Sequence, residues 1–97
     1  NLSYDEVREV LDKDLSKEVI QYVIDNADSW NFDDEEDIYN KLADLRTYFK
    51  ENKGYKHKET MCAVRAAITV RTRGADMAET IWILGKDKVV QRLKNAL

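Results

Sequence analysis

Few residues in this sequence are of the types that perform catalysis. Its 97 residues include one histidine, His57, and one cysteine, Cys62. The two are five positions apart, so on a helix their side chains would lie on different faces, and no third group is placed to orient them. Zinc sites need more Cys and His ligands, and the sequence contains neither of the common glycine-rich phosphate-binding motifs. We therefore predict that the chain is not an enzyme and holds no metal and no cofactor.

A run of acidic residues is the first candidate for a binding surface. Trp30 and Phe32 lie just before it and could anchor a protein partner, because aromatic side chains contribute strongly to interface energetics. Two other interpretations stay open: the aromatics could fold back over the core, and the acids could favour a helix N-terminus. The run lacks the ligand spacing and central glycine of an EF-hand loop. The acids of this candidate surface are Asp33, Asp34, Glu35, Glu36 and Asp37.

The second candidate surface is basic and belongs to the C-terminal half of the chain. Residues 1–49 hold 14 acids and 5 bases, a net charge of −9, whereas residues 50–97 hold 5 acids and 11 bases, a net charge of +6. The two halves could simply face each other across the folded domain. Alternatively, the basic half could contact nucleic acid through residue types that suit base edges and phosphates. These candidates are Arg65, Arg71, Arg73, Lys88, Gln91, Arg92 and Asn95.

Four of these candidates would share one face of a helix near the C-terminus. Helices predicted at about 76–84 and 87–96, joined by a tight turn at Gly85, have the outline of a helix-turn-helix. Two observations count against nucleic-acid binding. Trp82 and Ile83 are bulky for such a turn, and the isoelectric point of about 5.2 is low for a nucleic-acid-binding domain. Any amphipathic C-terminal helix would also have a polar face, so the pattern is not specific.

The acidic run would open the longest predicted helix, at about residues 34–53. Asp33 is a candidate cap with Glu36 as its capping-box partner, and Gly54 can adopt the left-handed conformation that ends a helix. Four apolar residues fall at i, i+4, i+7 and i+11, so they form one stripe. We expect this helix to lie at the centre of the domain. The stripe consists of Ile38, Leu42, Leu45 and Phe49.

The other apolar patterns also predict helices. The first two are expected at about residues 2–13 and from Ser16, as an N-cap, to about residue 26, and the fourth at about 57–72.

One segment also shows a competing strand pattern. From Val64 to Arg73 the residue types alternate as in a strand, and Gly74 could turn the chain into a β-hairpin at about 68–84. We favour helices because alanine, a strong helix former, is concentrated where the strand would need branched residues.

The whole chain is therefore predicted to be a single all-α domain, residues 1–97. It would be a compact bundle of about five or six helices around the long helix, with an α+β fold carrying the hairpin as the alternative. The single cysteine excludes an internal disulfide. No apolar run approaches the roughly 18 residues that span a bilayer, so we expect an intracellular, cytoplasmic protein without a membrane partner. Because the chain begins with Asn1, it could be part of a longer protein.

Two functional hypotheses follow from the two candidate surfaces. The first is a non-enzymatic protein-interaction or regulatory module, which binds a protein partner or itself through the acidic surface with its aromatic anchors. The alternative is a nucleic-acid-binding domain that uses the C-terminal helix pair and the basic cluster. No motif is specific enough to name a family, and the sequence does not reveal the partner, the oligomeric state or the host.

Overall fold

The computed structural model describes residues 4–69 and 76–97, and every regular element within these ranges is helical. Six α-helices occur there, together with one 3-10 turn at Ala27–Ser29. No strand is present among these residues, which confirms the all-α prediction. None of these helices is both long and apolar enough to cross a membrane. The helices are α1 (Tyr4–Leu11), α2 (Asp14–Asn26), α3 (Glu35–Lys53), α4 (His57–Thr69), α5 (Met77–Leu84) and α6 (Lys86–Ala96).

The alternative β-hairpin at 68–84 is wrong. The first residues of this segment belong to the end of α4, and its last residues form α5. Residues 70–75, where the turn was expected, lie outside the described part of the chain. The alternating pattern competes with a helical one. Met61, Val64 and Ile68 fall at i, i+3 and i+7, and all three are buried on α4. Helical spacing prevails because the intervening alanines favour the helix.

The ends of α3 follow from capping residues. The N-cap is Asp34 and not Asp33, because a carboxylate oxygen of Asp34 accepts a hydrogen bond from the Glu36 N–H at 3.0 Å. At the other end, Gly54 has φ 71° and donates its N–H to the carbonyl of Lys50 at 3.0 Å. This left-handed residue ends the helix as the sequence predicts. The predicted apolar stripe is buried, and it consists of Ile38, Leu42, Leu45 and Phe49.

The start of α2 differs from the expectation. The helix begins at Asp14, and Ser16, expected as the N-cap, lies inside the first turn and is buried. Lys13 occupies the N-cap position, where its carbonyl accepts the Lys17 N–H at 3.1 Å. An acidic residue in the first turn interacts favourably with the helix dipole, so Asp14 supports the earlier start.

The core is organised through α4 as well as through the longest helix. α4 packs against α1, α2, α3 and α6, whereas α3 packs mainly against α4 and α5. The difference follows from the apolar residues, since α3 buries a single stripe and α4 buries small and apolar residues on more than one side. Those buried residues of α4 are Thr60, Met61, Ala63, Val64, Ala66 and Ile68. The C-terminal part of α4 is therefore placed beside α1 and α6.

Candidate nucleic-acid interface

The junction of α5 and α6 sets the orientation of the C-terminal helix. Gly85 is the only residue between the two helices, and its dihedral angles are φ 83° and ψ 164°. Its N–H donates to the carbonyl of Ile81 at 3.0 Å, and its carbonyl accepts the N–H of Val89 at 3.1 Å. One residue thus closes α5 and opens α6, which starts at Lys86, slightly earlier than predicted. The helix pair expected from the sequence is present.

The polar face predicted on α6 is exposed. Val89, Leu93 and Ala96 are the buried residues of this helix, and they fall at i, i+4 and i+7. The opposite side therefore points away from the core. The four candidate contacts of α6 that lie on this exposed side are Lys88, Gln91, Arg92 and Asn95.

Arg92 also joins α6 to the end of α4. Its Nη1 donates a hydrogen bond to the carbonyl oxygen of Ile68 at 2.7 Å. Ile68 lies in the last described turn of α4. A positive charge at a helix C-terminus is also favourable. The side chain predicted as a nucleic-acid contact thus holds two helices together, which no sequence pattern indicates because the two residues are 24 positions apart.

Arg65 lies on α4, one turn before Ile68, and is half-buried. Its Nε is shielded from solvent and has no hydrogen-bond partner among the described residues. Arg71 and Arg73, the other two predicted arginines, lie outside the described residues. The structure therefore places Arg65, Arg92 and Asn95 on the two helices that meet at the end of α4.

Arg8 was missed by the sequence prediction. A cleft of about 440 Å³ lies between α1, α4 and α6, and Arg8, Arg92 and Asn95 contribute its polar side chains. Arg8 also pairs with Asp12 at 2.6 Å. It is a single base in a strongly acidic stretch of the sequence, so only the packing of α1 on α4 brings it to this cleft.

The aromatic anchors predicted beside the acidic run are buried. Trp30 is 9% exposed and Phe32 is 8% exposed, and their rings stack with centroids 5.8 Å apart. They cover the core instead of presenting themselves to a partner. The prediction that they anchor a protein is wrong, because burying their apolar area within the domain stabilises the fold.

The acidic run builds the start of α3. Asp34 caps the helix, and Asp37 accepts the N–H of Asn31 at 2.8 Å and pairs with Lys41 at 3.1 Å. The hydrogen bond from Asn31 and then that from Lys41 lower the pKa of Asp37 below its ordinary value. Asp33, Glu35 and Glu36 are exposed. No group of His, Cys, Asp or Glu that could hold a metal occurs within residues 4–69 and 76–97.

Comparison with known proteins identifies relatives for the whole chain. Residues 1–97 match the model of a family described as anticodon binding domain. Glutamate–tRNA ligase 1 of Rickettsia canadensis is 37% identical over 89 residues, which are 92% of this chain and 18% of the ligase. Glutamate–tRNA ligase of Bacillus licheniformis is 30% identical over 95 residues, which are 95% of this chain and 18% of that ligase. The chain thus spans 18% of the length of these relatives. No solved structure matches significantly.

These matches overturn the first functional hypothesis. A protein-interaction or regulatory module acting through the acidic surface is wrong, and the alternative of nucleic-acid binding agrees with the family description. The low isoelectric point was misleading, because the acids that lower it are concentrated in the N-terminal half. The prediction of a non-enzymatic chain also needs correction, since the relatives are named as ligases, of which this chain matches one part.

Proposed function

The chain belongs to the anticodon-binding domain family, and on that premise we propose that it binds tRNA through the outer face of α6 and the C-terminal part of α4. The exposed polar face of α6 carries this proposal. Lys88 offers a positive charge for phosphate, while Gln91 and Asn95 offer amide groups that both donate and accept hydrogen bonds. This combination suits a single-stranded loop, in which the edges of unpaired bases are accessible.

Arg65 supplies a second contact in this proposal. Its Nε is shielded from solvent, but the residue is only half-buried, so the rest of the guanidinium group can meet a phosphate or base oxygen. The guanidinium group forms charge-assisted hydrogen bonds with such acceptors, often two in parallel. Arg71 and Arg73 stay predictions for the same interface, because they follow α4 in the sequence.

The longer protein in this proposal is a glutamate–tRNA ligase, and the present chain is its anticodon-binding part. The support is that the aligned segments cover nearly all of this chain but 18% of each ligase. The ligase chemistry would then lie outside this chain, and the domain would contribute recognition of the RNA.

The proposal is tested by titrating the chain with the anticodon stem-loop of a glutamate tRNA at two salt concentrations. We expect binding that weakens as salt increases, and weaker binding to a stem-loop with a changed anticodon. Lys88→Gln should weaken binding and lower the salt dependence of log K by about 0.7 to 0.9, the value for one phosphate contact.

Lys50→Gln is the matched control. It removes the same charge from an exposed position on α3, outside the proposed interface, and should leave the affinity nearly unchanged. Absence of binding at low salt, or equal affinity for any stem-loop, would contradict the proposed function.

A further inference from the structure

The cleft between α1, α4 and α6 has the dimensions and lining of a small ligand site. Its volume of about 440 Å³ lies within the range of roughly 300–1,000 Å³ that small-molecule sites occupy. Val7 and Leu11 of α1 and Ile68 of α4 form apolar walls. Ala66 and Ala67 also line the cleft, and their small side chains leave it open.

The polar groups of this cleft are positive or neutral. Arg8 lines it from α1 and Arg92 from α6, and no Asp or Glu is among the described residues that line it. This is notable because α1 belongs to the half of the chain with a net charge of −9. An anionic group would therefore meet two guanidinium groups here, of which that of Arg8 is already paired with Asp12.

The two arginines are already held in place. Arg92 uses Nη1 to bind the Ile68 carbonyl, and Arg8 uses Nη2 to bind Asp12. A guanidinium group has five N–H donors, so each arginine retains donors for a ligand. Because their side chains are partly fixed, contact with a phosphate costs less conformational entropy than it would for a free surface arginine.

Asn95 completes the set of polar groups. Its amide can donate to and accept from the edge of a nucleobase, and no hydrogen bond of this side chain to another described residue competes for it. Apolar walls, two arginines and one amide together match the parts of a nucleotide: a planar base, an anionic phosphate and a hydrogen-bonding edge.

We propose that this cleft binds one unpaired nucleotide of the RNA, with the base between α1 and α4 and the phosphate at Arg8 and Arg92. The proposal rests on the proposed function and adds helix α1 to the RNA-binding surface. It also gives Arg92 two roles, since the same guanidinium group holds α4 to α6 and contacts the ligand.

Titration with the four nucleoside 5′-monophosphates, observed through the methyl NMR signals of Ala66, Ala67 and Ile68, tests the cleft directly. We expect saturable shifts at these methyl groups and smaller shifts with nucleosides, which lack the phosphate. Inorganic phosphate should shift the Arg8 and Arg92 side-chain signals without affecting the methyl groups strongly. Absence of saturable shifts at the methyl groups would overturn the proposal.

Two variants test whether RNA uses the same cleft. Ala67→Phe adds an aromatic ring to the open cleft without changing charge, and Thr47→Phe adds the same ring to exposed α3 as a control. We expect Ala67→Phe to abolish mononucleotide binding and to lower RNA affinity roughly tenfold or more, as loss of one base contact does. The control should behave as the unchanged protein.

Arg8→Gln is a second cleft variant, which tests the nucleotide site if Ala67→Phe fails to fold. It removes one guanidinium group at the rim and should lower both mononucleotide and RNA affinity, with Lys50→Gln as the charge-matched control. RNA binding that is unchanged in both cleft variants would overturn the nucleotide site while leaving the proposed function intact. Mononucleotide binding in a chain that binds no RNA would contradict the proposed function and assign the cleft to free nucleotides.

Discussion

Thr60 buries a hydroxyl group for which the described residues offer no hydrogen-bond partner. The residue is 0% exposed and lies in the first turn of α4. Leaving a polar group buried and unpaired costs about 1–3 kcal/mol. Thr60→Val removes the hydroxyl at nearly constant shape, so we expect the free energy of unfolding to rise by about 1 kcal/mol or more. Urea denaturation measures this change, and a lower midpoint would show that the hydroxyl does stabilise the native state.

The ion pair between Lys86 and Asp28 gives one carboxyl group a perturbed titration. The Lys86 Nζ lies 2.7 Å from Asp28, and its hydrogen bond and positive charge lower the pKa of Asp28. A carboxyl group whose pKa falls on folding stabilises the fold above its unfolded pKa of about 3.9, and this stabilisation is lost as pH falls through the folded pKa. Both side chains are exposed, so the effect on the free energy of unfolding is small.

Lys86→Gln should raise the pKa of Asp28 toward its ordinary value, as followed by NMR of the carboxyl carbon. Lys41→Gln is an informative companion, because the hydrogen bond from the N–H of Asn31 is the largest single cause that lowers the pKa of Asp37. Asp37 should therefore keep a lowered pKa in that variant. An Asp28 titration that Lys86→Gln leaves unchanged would show that the ion pair does not persist in solution.

Residue types predicted some of these roles but not their partners. The sequence indicated that an aspartate would cap α3, yet Asp33 and Asp34 are identical in type and only the backbone decides between them. Burial of Trp30 and Phe32 was one of two open interpretations. The contact of Arg92 with Ile68 could not be predicted, because helix propensity and periodicity contain no information about which helices meet.

At the scale of single elements, the two described glycines with positive φ should differ in how strongly a substitution destabilises the domain. Gly54 has φ 71° and ψ 16°, a region that asparagine tolerates, whereas Gly85 has φ 83° and ψ 164°, a region almost restricted to glycine. Space is not the issue, since an added Cβ would meet no atom within 4 Å at either position. The cost of a substitution therefore comes from the backbone conformation.

We expect Gly85→Asn to destabilise the domain by about 1–3 kcal/mol, the cost of forcing a side chain into that region. Gly54→Asn should cost clearly less, because asparagine can adopt the left-handed helical conformation. Chemical denaturation of the two variants under the same conditions compares them. Equal losses of stability would show that the junction of α5 and α6 relaxes to another conformation.

Because Arg92 donates a hydrogen bond to α4, we expect its removal to destabilise the domain even though the residue is exposed. Arg92→Ala removes a hydrogen bond from a charged donor, and such bonds contribute about 1.5–3 kcal/mol. The melting temperature should fall clearly, whereas Lys88→Ala on the same helix should change it little because surface substitutions usually stay within about 0.5 kcal/mol. Equal melting temperatures for the two variants would mean that the bond contributes nothing to stability.

Elements were predicted well where one periodicity dominates. The stripe of α3 and the buried residues of α6 are spaced as only a helix allows. Near residue 64 the helical and strand patterns overlap, and the choice depended on alanine content. The start of α2 at Asp14 and not at Ser16 illustrates that caps specify helix ends less clearly than apolar spacing specifies helices.

At the scale of the whole molecule, the all-α architecture could be predicted but its function could not. Net charge averages over the surface, and the value of −3 conceals a cleft lined by two arginines, Arg8 from the acidic half of the sequence and Arg92 from the basic half. That cleft exists because α1, α4 and α6 converge, although they are far apart in the chain. The four residues predicted on the polar face of α6 are exposed, and their contact with nucleic acid stays a prediction. The sequence could not suggest Arg8.

Gly85 alone joins α5 to α6, so the number of residues at this junction affects which side chains of α6 are exposed. A helix turns by about 100° per residue, so if α6 kept its starting point, one inserted residue would carry each of its side chains about 100° around the helix axis. Val89 and Leu93 would then leave the buried positions, and Lys88 and Arg92 would take their places. Such a change of length would therefore turn polar residues of α6 toward the core. A single substitution on α6 leaves the other side chains of the helix where they are. A change in the number of residues before α6 moves all of them together.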